Sequence, residues 1–228
     1  MERARVSAGF FSFTEVPAGA HRAYNEWHLL DHLPEQYRLA GIAHGERWVA
    51  SPDCVAGRVV DNDVVGPAQY VTVYLIGDPV DETLRRFREL AVELRNEGRF
   101  HEARTAHLFG AWQLSGTALS PDVVLSPSVL PWRPATGVFV LAEPTSDDPN
   151  ALDGLVEVEG VVGGWSFEPV GEDLRHSSWL VQPWRFTVLW LDGDPAEVAG
   201  RLAPAVPESA VFAAPYRTVS LGDWGGFD

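Results

Sequence analysis

The chain has 228 residues, of which 46% are hydrophobic and 21% charged, with a net charge of −15. That acidity argues against partners bound by neutralising phosphates, so nucleic acid and anionic membranes are set aside. Cys54 is the only cysteine and all 17 basic residues are arginine. An intrachain disulfide, a cysteine-built zinc site and lysine Schiff-base chemistry are therefore excluded.

The first element is the strand-like "RVSAGFFSF". A helix is expected over 18–38, interrupted near Leu33, because Pro34 lacks an amide hydrogen and clashes with the carbonyl four residues back. Gly41 opens a strand on which His44, Glu46 and Trp48 share one face and Arg47 takes the other. "QYVTVYLIGDPVDETLRRF" from Gln69 reads as a strand, then Gly-Asp-Pro, then a helix over 79–97, with Asp78 as N-cap and Pro79 at the first helical position. A strand over 108–116 follows, and the Pro- and Ser-rich stretch 117–135 reads as a linker.

The second half repeats the order. It has a strand from Thr136, a short helix over 148–157, a glycine-led strand over 159–171, and "WRFTVLWLDGDPAEVAGRL" from Trp184, with Asp194 and Pro195 at the helix start. A last strand is expected over 211–221. No apolar run approaches the roughly 18 residues that span a bilayer, and the start lacks the apolar core of a signal peptide. The expected location is cytoplasmic.

Each half reads strand, helix, strand, strand, helix, strand, the ferredoxin-like split motif. The expected fold class is α+β, with repeats over 1–116 and 136–228. Each unit leaves one apolar sheet face open, and the two cover one another.

The stretch "YNEWHLLDHLPEQYRLAGIAHGERW" over 24–48 resembles the dimeric α/β-barrel superfamily, and within it the EthD-like group. The similarity rests on Asn25 and Trp27, His32-Leu33-Pro34, Gly41, and Arg47-Trp48. It implies a pseudo-dimeric barrel of two facing sheets around a cavity, closed within one monomer or further paired as a homodimer. The second half departs from the pattern, having no His-x-Pro. Some relatives bind haem through a histidine of the later half; His176 is the only one there, in the polar stretch "GEDLRHSSW", where solvent exposure is expected.

His28 and His32 lie four apart and share a helix face. His32 is the candidate proton acceptor, with Asp31 or Glu35 holding its tautomer and His28 beside it. The rival reading makes His32 a cap for carbonyls freed by Pro34. Two histidines do not make a metal site, and Asp31, Glu35 and His44 stand at no diagnostic spacing for a third ligand. Tyr24, Trp27, Tyr37, His44, Trp48, Trp112 and Trp165 are the candidate substrate-binding residues, the tryptophans serving either as core or as pocket wall. The expected function is a cofactor-free acid/base enzyme of isomerase, cyclase or oxygenase type. It would act on a small apolar or aromatic compound between the sheets. The alternative is a non-catalytic binding or assembly protein.

Overall fold

β1 (Val6–Glu15) shows why the sheets are covered on both sides. Phe11 and Phe13 point one way into one apolar cluster, while Ala8 and Phe10 point the other way into a second. Such two-sided burial replaces simple alternation by an almost continuous apolar run. A computed structural model describes residues 6–145, 152–177, 179–219 and 222.

The remaining strands are β2 (Ile42–Val49), β3 (Tyr70–Gly77), β4 (Thr105–Leu119), β5 (Gly137–Pro144), β6 (Val161–Pro169), β7 (Trp184–Leu191) and β8 (Phe212–Thr218). They close into an antiparallel barrel in the order β1-β3-β2-β8-β5-β7-β6-β4. The first four strands thus lie as β4-β1-β3-β2 and the last four as β8-β5-β7-β6, joined by β2 with β8 and β4 with β6. Phe11 pairs with Val73 on one side and Gly110 on the other. Val140 takes the corresponding place between Val188 and Ala214.

Aromatic side chains from both sets of strands fill the barrel. Phe11 meets Phe167 and Phe186 at ring distances of 5.1 and 5.4 Å, and Trp190 meets Trp165 and Trp48 at 5.8 and 6.5 Å. Trp48, Trp112, Trp165 and Trp190 are all fully buried. The space expected between the sheets as a substrate cavity is therefore aromatic core. Burying each large apolar side chain contributes roughly 1.5–3 kcal/mol, which favours filling that space.

Helices lie outside the barrel. α1 (His21–Trp27) continues through a π-helical turn (His28–His32) into α2 (Leu33–Gln36). The expected interruption at Pro34 is a widening instead: the amide of Leu33 reaches the carbonyl of His28, five residues back. Gly45 lets this segment lie flat on β2, since a Cβ there would fall 2.4 Å from Leu33 Cδ1. α3 (Pro52–Ala56) holds the buried Cys54, and α4 (Val80–Asn96) is the longest helix described. α5 (Asp153–Val156) and α6 (Pro195–Leu202) cover the second set of strands. Residues 148–151 of the helix expected there lie outside the described ones.

The two Gly-Asp-Pro joints differ. Asp194 caps α6 as expected, accepting from the amides of Ala196 and Glu197, with Pro195 in the first turn. Asp78 does not cap α4. The capping position falls on Pro79, the helix begins at Val80, and Asp78 accepts from the Ser7 hydroxyl at 2.8 Å. The stretch 117–135 is more than a connection. Thr117 to Leu119 finish β4 and pair with β6, and a 3₁₀ turn (Pro127–Trp132) buries Leu130. Alternation outlasts the Pro- and Ser-rich composition there because β6 offers a free edge to pair with. Among the described residues, no helix is long and apolar enough to cross a membrane.

Candidate functional site

The outer faces of the two sets of strands are treated differently. On the second, Leu152, Leu155 and Val156 of the α5 region and Val198 and Leu202 of α6 pack onto Phe139, Leu141 and Leu189 and fill the space. On the first, a cleft of about 1040 Å³ opens between the strands and α1, α4 and the segment 98–106. The floor supplies the reason. Ser12 and Thr72 stand among Phe10 and Tyr74 on β1 and β3, and the helix above presents Tyr24, Trp27, His28 and His32 rather than aliphatic side chains.

The π-helical turn sets the two histidines over this floor with ring centres 5.5 Å apart. His28 is buried and its Nε2 lies 3.3 Å from the Tyr74 hydroxyl. His32 stacks on Trp27 at 4.6 Å and meets the edge of Phe100 at 5.3 Å. The Nδ1 atoms of both histidines, and of His101, are buried without a hydrogen-bond partner among the described residues. His101 in turn packs on Tyr24 and Trp27 at 5.5 and 5.6 Å.

Arg47 packs against both Tyr24 and Tyr70, its guanidinium carbon 4.4 and 4.2 Å from ring centres that are themselves 5.3 Å apart. Arg104 stands over Trp27 and Phe100 at the cleft wall. These cations and burial act together. Burial, then Arg47, hold His28 well below its ordinary range; burial, then Arg104 and Arg47, lower His32 to about 3. Both imidazoles are neutral at pH 7. Burial pushes the Tyr74 hydroxyl upward, so it stays protonated.

Of the residues expected at the site, Tyr24, Trp27, His28 and His32 come together on the cleft. Asp31 is drawn away. It and Glu35 both hold Arg99, at 2.8 and 2.7 Å, and Glu35 also holds Arg38 at 2.9 Å, so neither carboxylate orients His32. A full charge close by outcompetes a neutral ring for a carboxylate. Tyr37 is turned outward and its hydroxyl accepts from the Gly45 amide at 3.0 Å. His44 stands beside Trp132 and 3.9 Å from Glu46, at the barrel interior. Trp48, Trp112 and Trp165 are core.

Tyr70, Tyr74, Phe100, His101 and Arg104 are not singled out by the sequence, and Arg47 is named there only in the Arg47-Trp48 pair, not as a site residue. For Arg47 the signal was present: it sits opposite Trp48 on β2, and the site lies on the face that Trp48 does not occupy.

Among the described residues, the later half shows no open space of its own for a haem. His176 is exposed at the rim of the first cleft, and aliphatic side chains fill the matching space of the second half. Among the described residues no three of His, Cys, Asp and Glu gather as a metal-ligand group.

No protein-family model matches the chain. No curated protein matches it either. Solved structures do. An anthrone oxidase-like protein is 11% identical with a TM-score of 0.52, covering 96% of this chain and 94% of that one. A chlorite dismutase-like protein gives 12% and 0.52, covering 97% and 99%. The encapsulated DyP-type peroxidase of Mycobacterium smegmatis gives 9% and 0.53, covering 99% and 96%. The fold is thus an eight-stranded closed barrel of the ferredoxin-like, dimeric α+β barrel type. At such identities the likeness is one of fold.

Proposed function

We propose that the protein is an acid/base enzyme that takes a proton from a small aromatic compound bound in the cleft between the first four strands and their helices. One observation carries this reading: His28 and His32 face the same cleft as neutral imidazoles, each with a buried ring nitrogen that has no hydrogen-bond partner among the described residues.

A histidine at about 3 is a weak base toward water, but the substrate would sit in the same field. The cations that lower His32 also stabilise an oxyanion, so they lower the pKa of a substrate whose deprotonation yields an enolate or phenolate. The proton passes from a carbon or oxygen acid to the unprotonated nitrogen of His32. The negative charge comes to rest on a substrate oxygen near Arg104, and the imidazolium formed is stabilised by that new anion. Returning the proton to a different atom completes an isomerisation with no change of oxidation state. Trp27 and Phe100 fix the ring plane of His32 during both steps. His28, held at Tyr74, serves as the second site for the returning proton.

The same proposal includes the EthD-like grouping and a tandem origin of the chain. The equal strand orders of the first and last four strands support it, and such a chain closes its own barrel as a monomer.

The test is deuterium exchange at the acidic C–H of anthrone, 2-tetralone and their carboxylates, followed by NMR with wild-type protein and His32→Ala. Exchange above the buffer rate in the wild type, lost in the variant, is the expected result. A panel in which none exchanges faster than buffer sinks the enzyme reading. Because His32 is so weakly basic when the cleft is empty, binding without exchange would favour the second reading, a small-molecule binding protein.

A further inference from the structure

The chain carries 32 acidic residues for its 17 arginines. Arg38, Arg85, Arg99, Arg133, Arg185 and Arg217 each hold a carboxylate. Arg47 does not. It is only 3% exposed, and its Nε, Nη1 and Nη2 all lack a hydrogen-bond partner among the described residues. A buried guanidinium without an anion is costly, because water that would solvate it is excluded and nothing replaces that water.

The surroundings say which way a ligand would meet it. Tyr24 and Tyr70 both pack on the guanidinium, and with their ring centres 5.3 Å apart they approach it from neighbouring directions, not from opposite faces. The N–H groups of its planar fork are left without acceptors among the described residues, and such a fork grips the two oxygens of a carboxylate side by side. Arg47 lies behind the cleft lining, packed on Tyr24 and paired across the strands with Thr72, both of which line it. Arg104, on the cleft wall over Trp27 and Phe100, makes no ion pair among the described residues. The wall also carries Phe10, which meets Phe87 and Trp179 at 4.8 and 5.7 Å, together with Arg88, Glu89, Arg95 and Glu102.

We infer that the cleft binds an aromatic carboxylate, its carboxylate gripped by the unpartnered guanidinium of Arg47 just behind the cleft floor, with Arg104 as the second cation and its ring against Phe10, Phe87 and Trp179. The inference rests on the cleft being a ligand site, as proposed above, and not on its being catalytic. Arg88 and Arg95 on the cleft also lack an ion pair, but among the described arginines only Arg47 is both buried and without one.

Calorimetric titration of the full chain with 2-naphthoate, 2-naphthamide and 2-naphthol tests it. Naphthoate is expected to bind wild type at least about tenfold more tightly than the neutral amide, the scale of one charge-assisted hydrogen bond. Arg47→Met should bring naphthoate down to the affinity of the amide while the amide is unaffected. Arg104→Gln, at the cleft wall, should narrow the gap, and it decides the matter should Arg47→Met not fold. Equal binding of naphthoate and naphthamide, no binding of naphthoate, or a gap unchanged in the variants overturns the inference. Naphthol binding as tightly as naphthoate overturns the assignment to a carboxylate. Naphthoate binding with no proton exchange in the experiment above removes the catalytic reading alone and leaves this one standing.

Discussion

His32 lies flat against Trp27, with ring centres 4.6 Å apart and planes 25° from parallel. Trp27 is itself anchored, its indole N–H donating to the Arg99 carbonyl at 2.7 Å. The stack therefore ties the ring plane of His32 to the segment that closes the cleft. Under the proton-transfer reading, His32→Ala should lower exchange or turnover by about 10²-fold or more, the usual scale for a general base. Trp27→Leu should lower it less, through misorientation. His28→Ala should slow return of the proton more than its abstraction. Equal activity of His32→Ala and wild type would refute the assignment.

His32 and Glu46 should move stability in opposite directions as pH falls below neutrality. His32 is lowered from an ordinary 6.5 to about 3, so between those values the unfolded chain binds a proton that the folded chain refuses. Stability from this group is complete above about pH 6.5 and is lost as pH falls, by about 2 kcal/mol at pH 5. His28 is shifted in the same direction, by burial first. Glu46 acts in the opposite sense. Burial raises it to about 7, and the indoles of Trp48 and Trp190 donate to it. Its folded form keeps a proton between 4.5 and 7, so acidification through that window stabilises. In urea unfolding at pH 7 and pH 5, His32→Gln should lose less stability on acidification than wild type, and Glu46→Gln more. A change between the two pH values in His32→Gln equal to that of wild type would contradict the lowered His32.

Arg47→Met should stabilise the ligand-free protein, by about 1 kcal/mol. The variant loses two ring contacts worth roughly 0.5–2 kcal/mol each, yet removes a buried charge whose unmade hydrogen bonds cost more. Methionine keeps most of the volume packed against Tyr24 and Tyr70. A fall of several kcal/mol in urea unfolding would show that the guanidinium is a structural strut.

The two Gly-Asp-Pro joints should respond unequally. Asp194→Ala removes a cap that accepts two amides and an ion pair with Arg217, and should cost about 1–2 kcal/mol. Asp78→Ala removes only an exposed bond to Ser7 and should cost about 0.5 kcal/mol or less. Equal losses by thermal unfolding would contradict the difference in capping.

Local chemistry fixes whatever depends on neighbours in the chain. Alternation in "QYVTVYLIG" and "WRFTVLWL" makes β3 and β7, Asp194-Pro195 starts α6, and the spacing of Tyr24, Trp27, His28 and His32 brings them to one side of a helix. Alternation also separates Arg47 from Trp48. It cannot say which of two covered faces holds a ligand, because on a strand buried on both sides the two faces look equally apolar. Only the assembled barrel decided that. The inner face closed on large rings such as Phe11, Trp48 and Phe186, while outside, short α5 and α6 met aliphatic side chains and sealed the second half. The partner of Asp31 was likewise beyond sequence, since Arg99 reaches it across 68 residues. Over the first half, small floor residues Ser12 and Thr72 lie beneath the π-helical turn that carries the histidines, and the cleft lies there.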